Sequence, residues 1–118
     1  MSIKVLIVDD HPLFRKGLRN LLEADTEIKV IGEAGDGLEA IEAVKNHHPE
    51  VVVMDVAMPN MSGMDFLKAA RDTIRSTTVI MMSAYGTIDT AIAAMKLGAY
   101  DYISKPFKSD EVYLTLKK

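Results

Sequence analysis

Five side chains in this sequence are of the types that phosphoryl chemistry needs, and each follows a short apolar run. Asp9 and Asp10 follow Ile3 to Val8, Asp55 follows Val51-Val-Val-Met54, Ser83 follows Thr78 to Met82, and Lys105 comes soon after Tyr100 to Ile103. Three carboxylates brought together repel one another unless a proton or a cation sits among them. Oxygen-only donors favour a hard cation, and a few carboxylates completed by water and phosphate oxygens usually hold Mg2+, so magnesium is preferred to calcium. A carboxylate beside such a cation and a lysine can attack phosphorus and form an acyl phosphate. Lys105 would neutralise charge on the transferring group, and the Ser83 hydroxyl could bind one of its oxygens. Singly these residues are bland: Asp55 would pass for a turn residue, Asp9-Asp10 for a helix cap, Lys105 for surface charge. Their shared position after the apolar runs gives them meaning.

That position has to come from the elements. Ile3 to Val8 and Ile28 to Ala34 read as strands, Val51 to Met54 as a buried strand, and Thr78 to Met82 and Tyr100 to Ile103 as two more. Between them, Leu13, Phe14, Gly17, Leu18, Leu21 and Leu22 recur at helical spacing after Pro12, which suits a first helical position. Asp36-Gly-Leu-Glu39 and Ser62-Gly-Met-Asp65 read as caps opening two further helices, the first with Leu38, Ile41 and Val44 as its apolar stripe and His47-His48-Pro49 as its end. Ile88, Ala91, Ile92 and Met95 predict a fourth helix stopped at Gly98, and Ser109-Asp-Glu opens a last one with Val112 and Leu116 on one face. Five strand-helix units imply a parallel sheet with helices on both faces, whose ligands bind outside the carboxyl ends of the strands. The polar groups then converge on one rim.

Composition narrows the function. With 118 residues the chain fits one domain, and with no cysteine it has neither disulfides nor thiolate chemistry, which is compatible with a cytoplasmic setting. A net charge of −3 lacks the basic footprint of a nucleic-acid-binding domain, so direct DNA contact by this chain is not expected. No apolar run approaches the ~20 residues of a membrane span. The chain stops at Lys117-Lys118, early in the last helix, so an output domain beyond it is expected.

The acidic pair, Asp55, Ser83 and Lys105-Pro106, in this order and spacing, resemble the receiver domain of a two-component response regulator over the whole of residues 1–118. The resemblance implies a flavodoxin-like α/β fold: a five-stranded parallel, doubly wound sheet of order 2-1-3-4-5. It implies Asp55 as phosphoacceptor, and Asp9, Asp10, Asp55 and the backbone carbonyl of Ala57 as Mg2+ ligands. It further implies Lys105 as phosphate-binding lysine, Ser83 as switch hydroxyl and Tyr102 as switch aromatic. Ala57 and Tyr85 would flank the path of attacking water, and neither offers a polar group suited to positioning it, so slow self-dephosphorylation is expected. The implied partner is a histidine kinase or phosphotransfer protein. The implied output is a changed surface of the fourth helix, fifth strand and fifth helix, read by a partner or a second copy in a homodimer, with control of transcription as the expected end.

Two halves carry different resemblances. Up to about Gly63, Asp9-Asp-His-Pro-Leu-Phe14 and Gly32-Glu-Ala-Gly-Asp-Gly37 are similar to receivers that precede a helix-turn-helix domain. Beyond it, Ser83-Ala-Tyr-Gly-Thr87 and Gly98-Ala-Tyr-Asp-Tyr-Ile-Ser-Lys-Pro-Phe107 resemble receivers of enhancer-binding ATPase regulators. A natural intermediate and a chimera both fit.

Rival readings fare worse. A phosphatase of the haloacid dehalogenase class would carry an acid two residues after its nucleophile, where this chain has Ala57. A dinucleotide site would need its glycines after the first strand, whereas Gly32, Gly35 and Gly37 follow the second in another order. A binding module without phosphorylation would leave Asp55 and Lys105 without a purpose. The expectation is therefore a switch that catalyses only its own phosphoryl transfer, without turnover of an external substrate. His11, His47 and His48 read as helix-end residues and not as metal ligands.

Overall fold

The computed structural model describes residues 2–56, 61–70, 77–83 and 88–104. Five strands, β1 (Ile3–Val8), β2 (Ile28–Ala34), β3 (Val51–Asp55), β4 (Thr78–Ser83) and β5 (Asp101–Ser104), form one sheet of order β2-β1-β3-β4-β5. Every pairing is parallel. The helices are α1 (Pro12–Glu23), α2 (Gly37–His47), α3 (Gly63–Ala69) and α4 (Ile88–Lys96). The expected last helix, with Val112 and Leu116, lies outside the described residues.

Alternation along the strands divides the core in two. Leu6, Val8, Val52, Met54, Val79 and Met81 face α2 and α3, packing with Val44, Phe66 and Leu67. Val5, Ile7, Val51, Val53, Ile80 and Met82 face the other way, where Leu18 and Leu22 of α1 cover them. Helices on both faces follow, as the strand-helix alternation predicts.

Both capping signatures are realised. The Asp36 carboxylate accepts from the Glu39 amide at 2.9 Å, and the Ser62 hydroxyl from the Asp65 amide at 3.2 Å. Pro12 begins α1, where its missing N–H costs nothing, and His48 ends α2 in the left-handed region. Gly98, at φ +109°, closes a Schellman turn: its amide donates to Met95 and the next, Ala99, to Ala94.

Several boundaries and faces differ from the sequence reading. β3 and β4 each run one residue further, because Asp55 pairs with Met82 and Ser83 with Ser104. β5 begins at Asp101 and not at Tyr100. Leu13 and Leu38, counted among the apolar stripes, are exposed, as are Ile92 and Met95 of α4. The sheet is met instead by Ala40 and Ala94, whose small side chains let the helices come close. Side chains of residues 88–91 lie outside what the structure describes.

Candidate functional site at the carboxyl ends of the strands

β1 and β3 are neighbours in register, Val8 beside Met54, so the residues that follow each strand meet at the same edge. Asp9 is fully buried, its amide anchored to the Ala34 carbonyl at the end of β2. Asp55, at the last position of β3, is 6 % exposed. Burying a carboxylate is costly unless other groups satisfy it. Asp9 Oδ1 accepts from the His11 amide at 2.8 Å and lies 3.2 Å from His11 Nδ1.

Donor atoms of Asp9, Asp10, His11 and Asp55 all lie within 4.8 Å of one another. Asp10 Oδ1 stands 3.1 Å from the same His11 nitrogen, yet it is buried and makes no hydrogen bond among the described residues. A buried acceptor left in this way is a place for a cation, and three carboxylates around it are the donors a hard divalent ion takes. The residues fit the expected metal. Reading by sequence missed His11, which was placed at a helix end: it is indeed the N-cap of α1, but without a side-chain cap its ring turns toward the carboxylates. Its place directly after the acidic pair was the available signal.

A network behind the rim holds Asp9 from the other side. Arg15, one turn into α1, donates from Nη1 to the Asp9 carbonyl and from Nε to Glu33 Oε1 at 3.1 Å. Arg19 donates to Glu33 Oε2 at 2.7 Å and to Glu23 at 3.2 Å. Arg19 and then Arg15 hold the Glu33 carboxyl below its ordinary value against the opposing effect of burial, and Glu33 and Glu23 raise Arg19 in turn.

The other sequence-predicted residues divide. Ser83 ends β4, one residue beyond the Met82 that pairs with Asp55, and so stands at the same edge, half-buried. Tyr102 pairs with Met81 and packs against the core beneath α2 and α3, its hydroxyl buried without a partner among the described residues. Lys105, Ala57 and Tyr85 lie outside the described residues, although Lys105 follows directly on β5. Among the described residues no helix is long and apolar enough to cross a membrane.

Comparison with known proteins gives the arrangement its context. The protein-glutamate methylesterase/protein-glutamine glutaminase of Rhizobium etli is 45% identical over 105 residues, covering 87% of this chain but only 30% of that protein. This chain therefore spans less than a third of that relative. Chemotaxis protein CheY of Listeria monocytogenes is 38% identical over 116 residues, covering 98% of this chain and 97% of its own. The response regulator domain of Thermotoga maritima CheB superposes with a TM-score of 0.89 at 35% identity, covering 99% of this chain and 95% of that one. Residues 5–117 match the model of the response regulator receiver domain, and to that family this chain belongs.

Proposed function

We propose that this domain is a phosphorylation switch of two-component signalling, with Asp55 as its phosphoacceptor and Mg2+ as its cofactor. The observation that carries the reading is the buried Asp55 carboxylate at the end of β3, gathered with Asp9 and with Asp10, whose Oδ1 has no hydrogen bond among the described residues. In the transfer an Asp55 oxygen attacks phosphorus, the bond to the donor histidine nitrogen of a kinase or phosphotransfer protein breaks, and an acyl phosphate forms. Bound Mg2+ would supply positive charge for the phosphoryl oxygens. Asp9, Asp10, Asp55 and the Ala57 carbonyl are the proposed holders of the ion. Lys105 binds the phosphoryl group, and Ser83 takes one of its oxygens.

The consequence is a change of surface and not turnover of a substrate. Ser83 on β4 and Tyr102 on β5 belong to adjacent strands, so movement of the hydroxyl toward phosphate can be felt by the ring. Exposed Ile92, Met95 and Tyr100 provide an apolar strip on α4 and its approach to β5 for a partner or a second copy to read. The output proposed is control of transcription in the cytoplasm through a further domain, without DNA contact by this one.

Intact-mass measurement after exposure to a small acyl phosphate, with and without Mg2+, tests the reading. Wild type should gain one phosphoryl group only with the ion, and Asp55→Asn none. An equal gain in both proteins would remove Asp55 as acceptor.

A further inference from the structure

We infer that His11 is a nitrogen donor to the cation held by the acidic rim, and that it turns the site's preference from Mg2+ toward Mn2+. The inference rests on the cation site proposed above and concerns a residue outside the expected ligand set.

At metal–donor distances near 2 Å, donors at right angles on an octahedral ion lie about 3 Å apart. His11 Nδ1 stands 3.2 Å from Asp9 Oδ1 and 3.1 Å from Asp10 Oδ1, the edge lengths of such an octahedron. It shares this geometry with Asp10 Oδ1, the buried oxygen that no hydrogen bond satisfies among the described residues. The His11 side chain is 69% exposed, so the ring can turn into the site without giving up core packing. To ligate, Nδ1 presents its lone pair and the ring proton resides on Nε2.

The chemical consequence is selectivity. Carboxylates and water serve Mg2+ and Mn2+ alike, whereas imidazole is a ligand for first-row transition ions and a poor one for magnesium. A site of three carboxylates and one imidazole therefore gains affinity for Mn2+ that it does not gain for Mg2+. His47 and His48 are exposed at the far end of α2 and take no part.

Mn2+ titration followed by electron paramagnetic resonance gives the affinity, and pulsed measurement of nitrogen-14 coupling reports a histidine ligand whether or not the protein is phosphorylated. The variants are His11→Ala and His11→Gln, the latter keeping a polar side chain beside Asp9. Wild type should show one nitrogen coupling that both variants lose, with Mn2+ affinity falling about tenfold and Mg2+ affinity changing by less than about twofold. Manganese bound without nitrogen coupling, or equal losses for the two ions, would overturn the inference while leaving the carboxylate site intact, with His11 merely orienting Asp9. Absence of Mn2+ binding that Asp10→Asn can abolish would overturn the cation site and this inference together.

Discussion

Gly63 approaches the main chain of Asp55 so closely that a β-carbon on residue 63 would lie 2.7 Å from the Asp55 carbonyl oxygen. The same atom would meet Val56 Cα and Met81 Sδ at 3.1 Å, while the Gly63 amide donates to the Val56 carbonyl at 2.8 Å. Backbone this close cannot yield cheaply. Gly63→Ala should cost about 1–3 kcal/mol, as overpacked sites do, and should displace the proposed phosphoacceptor. Gly17 in α1 is the matched control: a β-carbon there meets nothing within 4 Å, so Gly17→Ala should stabilise by roughly 0.5–1 kcal/mol. Urea midpoints of the two variants check the opposite signs.

The Glu33 network predicts a specific acid sensitivity. Glu33 is ionised in the folded chain at pH values where it would be protonated unfolded, because Arg19 and Arg15 bond its carboxylate. Its contribution is fully present above the ordinary value of 4.5 and is lost as pH falls through the depressed folded value. Partly exposed pairs of this kind contribute about 1 kcal/mol or less. Glu33→Gln should therefore lower the urea midpoint at neutral pH and cease to differ from wild type once the pH has fallen below the depressed folded value. A deficit that persists in acid would show that packing, not charge, is what the substitution removed.

Tyr102 should be held inward at a cost. Its hydroxyl is buried without a hydrogen bond among the described residues, and such a group costs about 1–3 kcal/mol. Tyr102→Phe removes the penalty and keeps the ring, so it should raise the urea midpoint. A beryllofluoride phosphate mimic should then shift the aromatic NMR signals of residue 102 less in the variant than in wild type. No midpoint change would mean that the hydroxyl finds water by local motion.

The lifetime of the proposed acyl phosphate should follow residues 57 and 85. Replacing Ala57 with Asn and Tyr85 with Glu supplies groups that can position an attacking water, and bringing that water into line should speed loss of the label. Mass spectrometry over time reads the rate. Unchanged or slower loss would count against a role for these positions.

Much of this was legible in the chain, for physical reasons that also mark where legibility ended. β1 and β2 begin and end where their apolar runs do, since both are bounded by polar turns. Asp55 and Ser83 read as the first residues past their strands but are the last residues of them, because ladder hydrogen bonds depend on the neighbour and not on polarity. The helical faces misled where large apolar residues stood at the margin of a stripe: Leu38 is turned out while Ala40 is buried. Asp9, Asp10 and Asp55 could be gathered from sequence, but the role of His11 was missed, since its place at the helix start does not say that its ring turns back toward Asp9 and Asp10. The strand order came from resemblance, as nothing in the run of elements fixes which strand lies beside β1.

The placement of β1 between β2 and β3 bears on how such a domain could be assembled by recombination. A junction near Gly63, where the two resemblances meet, would part the sheet along a single seam, β3 against β4. The leading piece would keep β2 and β3 each paired with β1, together with Asp9, Asp10, His11 and Asp55. The trailing piece would keep β4 paired with β5, and with them Ser83 and Tyr102. Exchange at that point would bring together an inherited acidic rim and a foreign reporting surface, with the β3–β4 seam and the packing of α3 on the leading piece left to reconcile them.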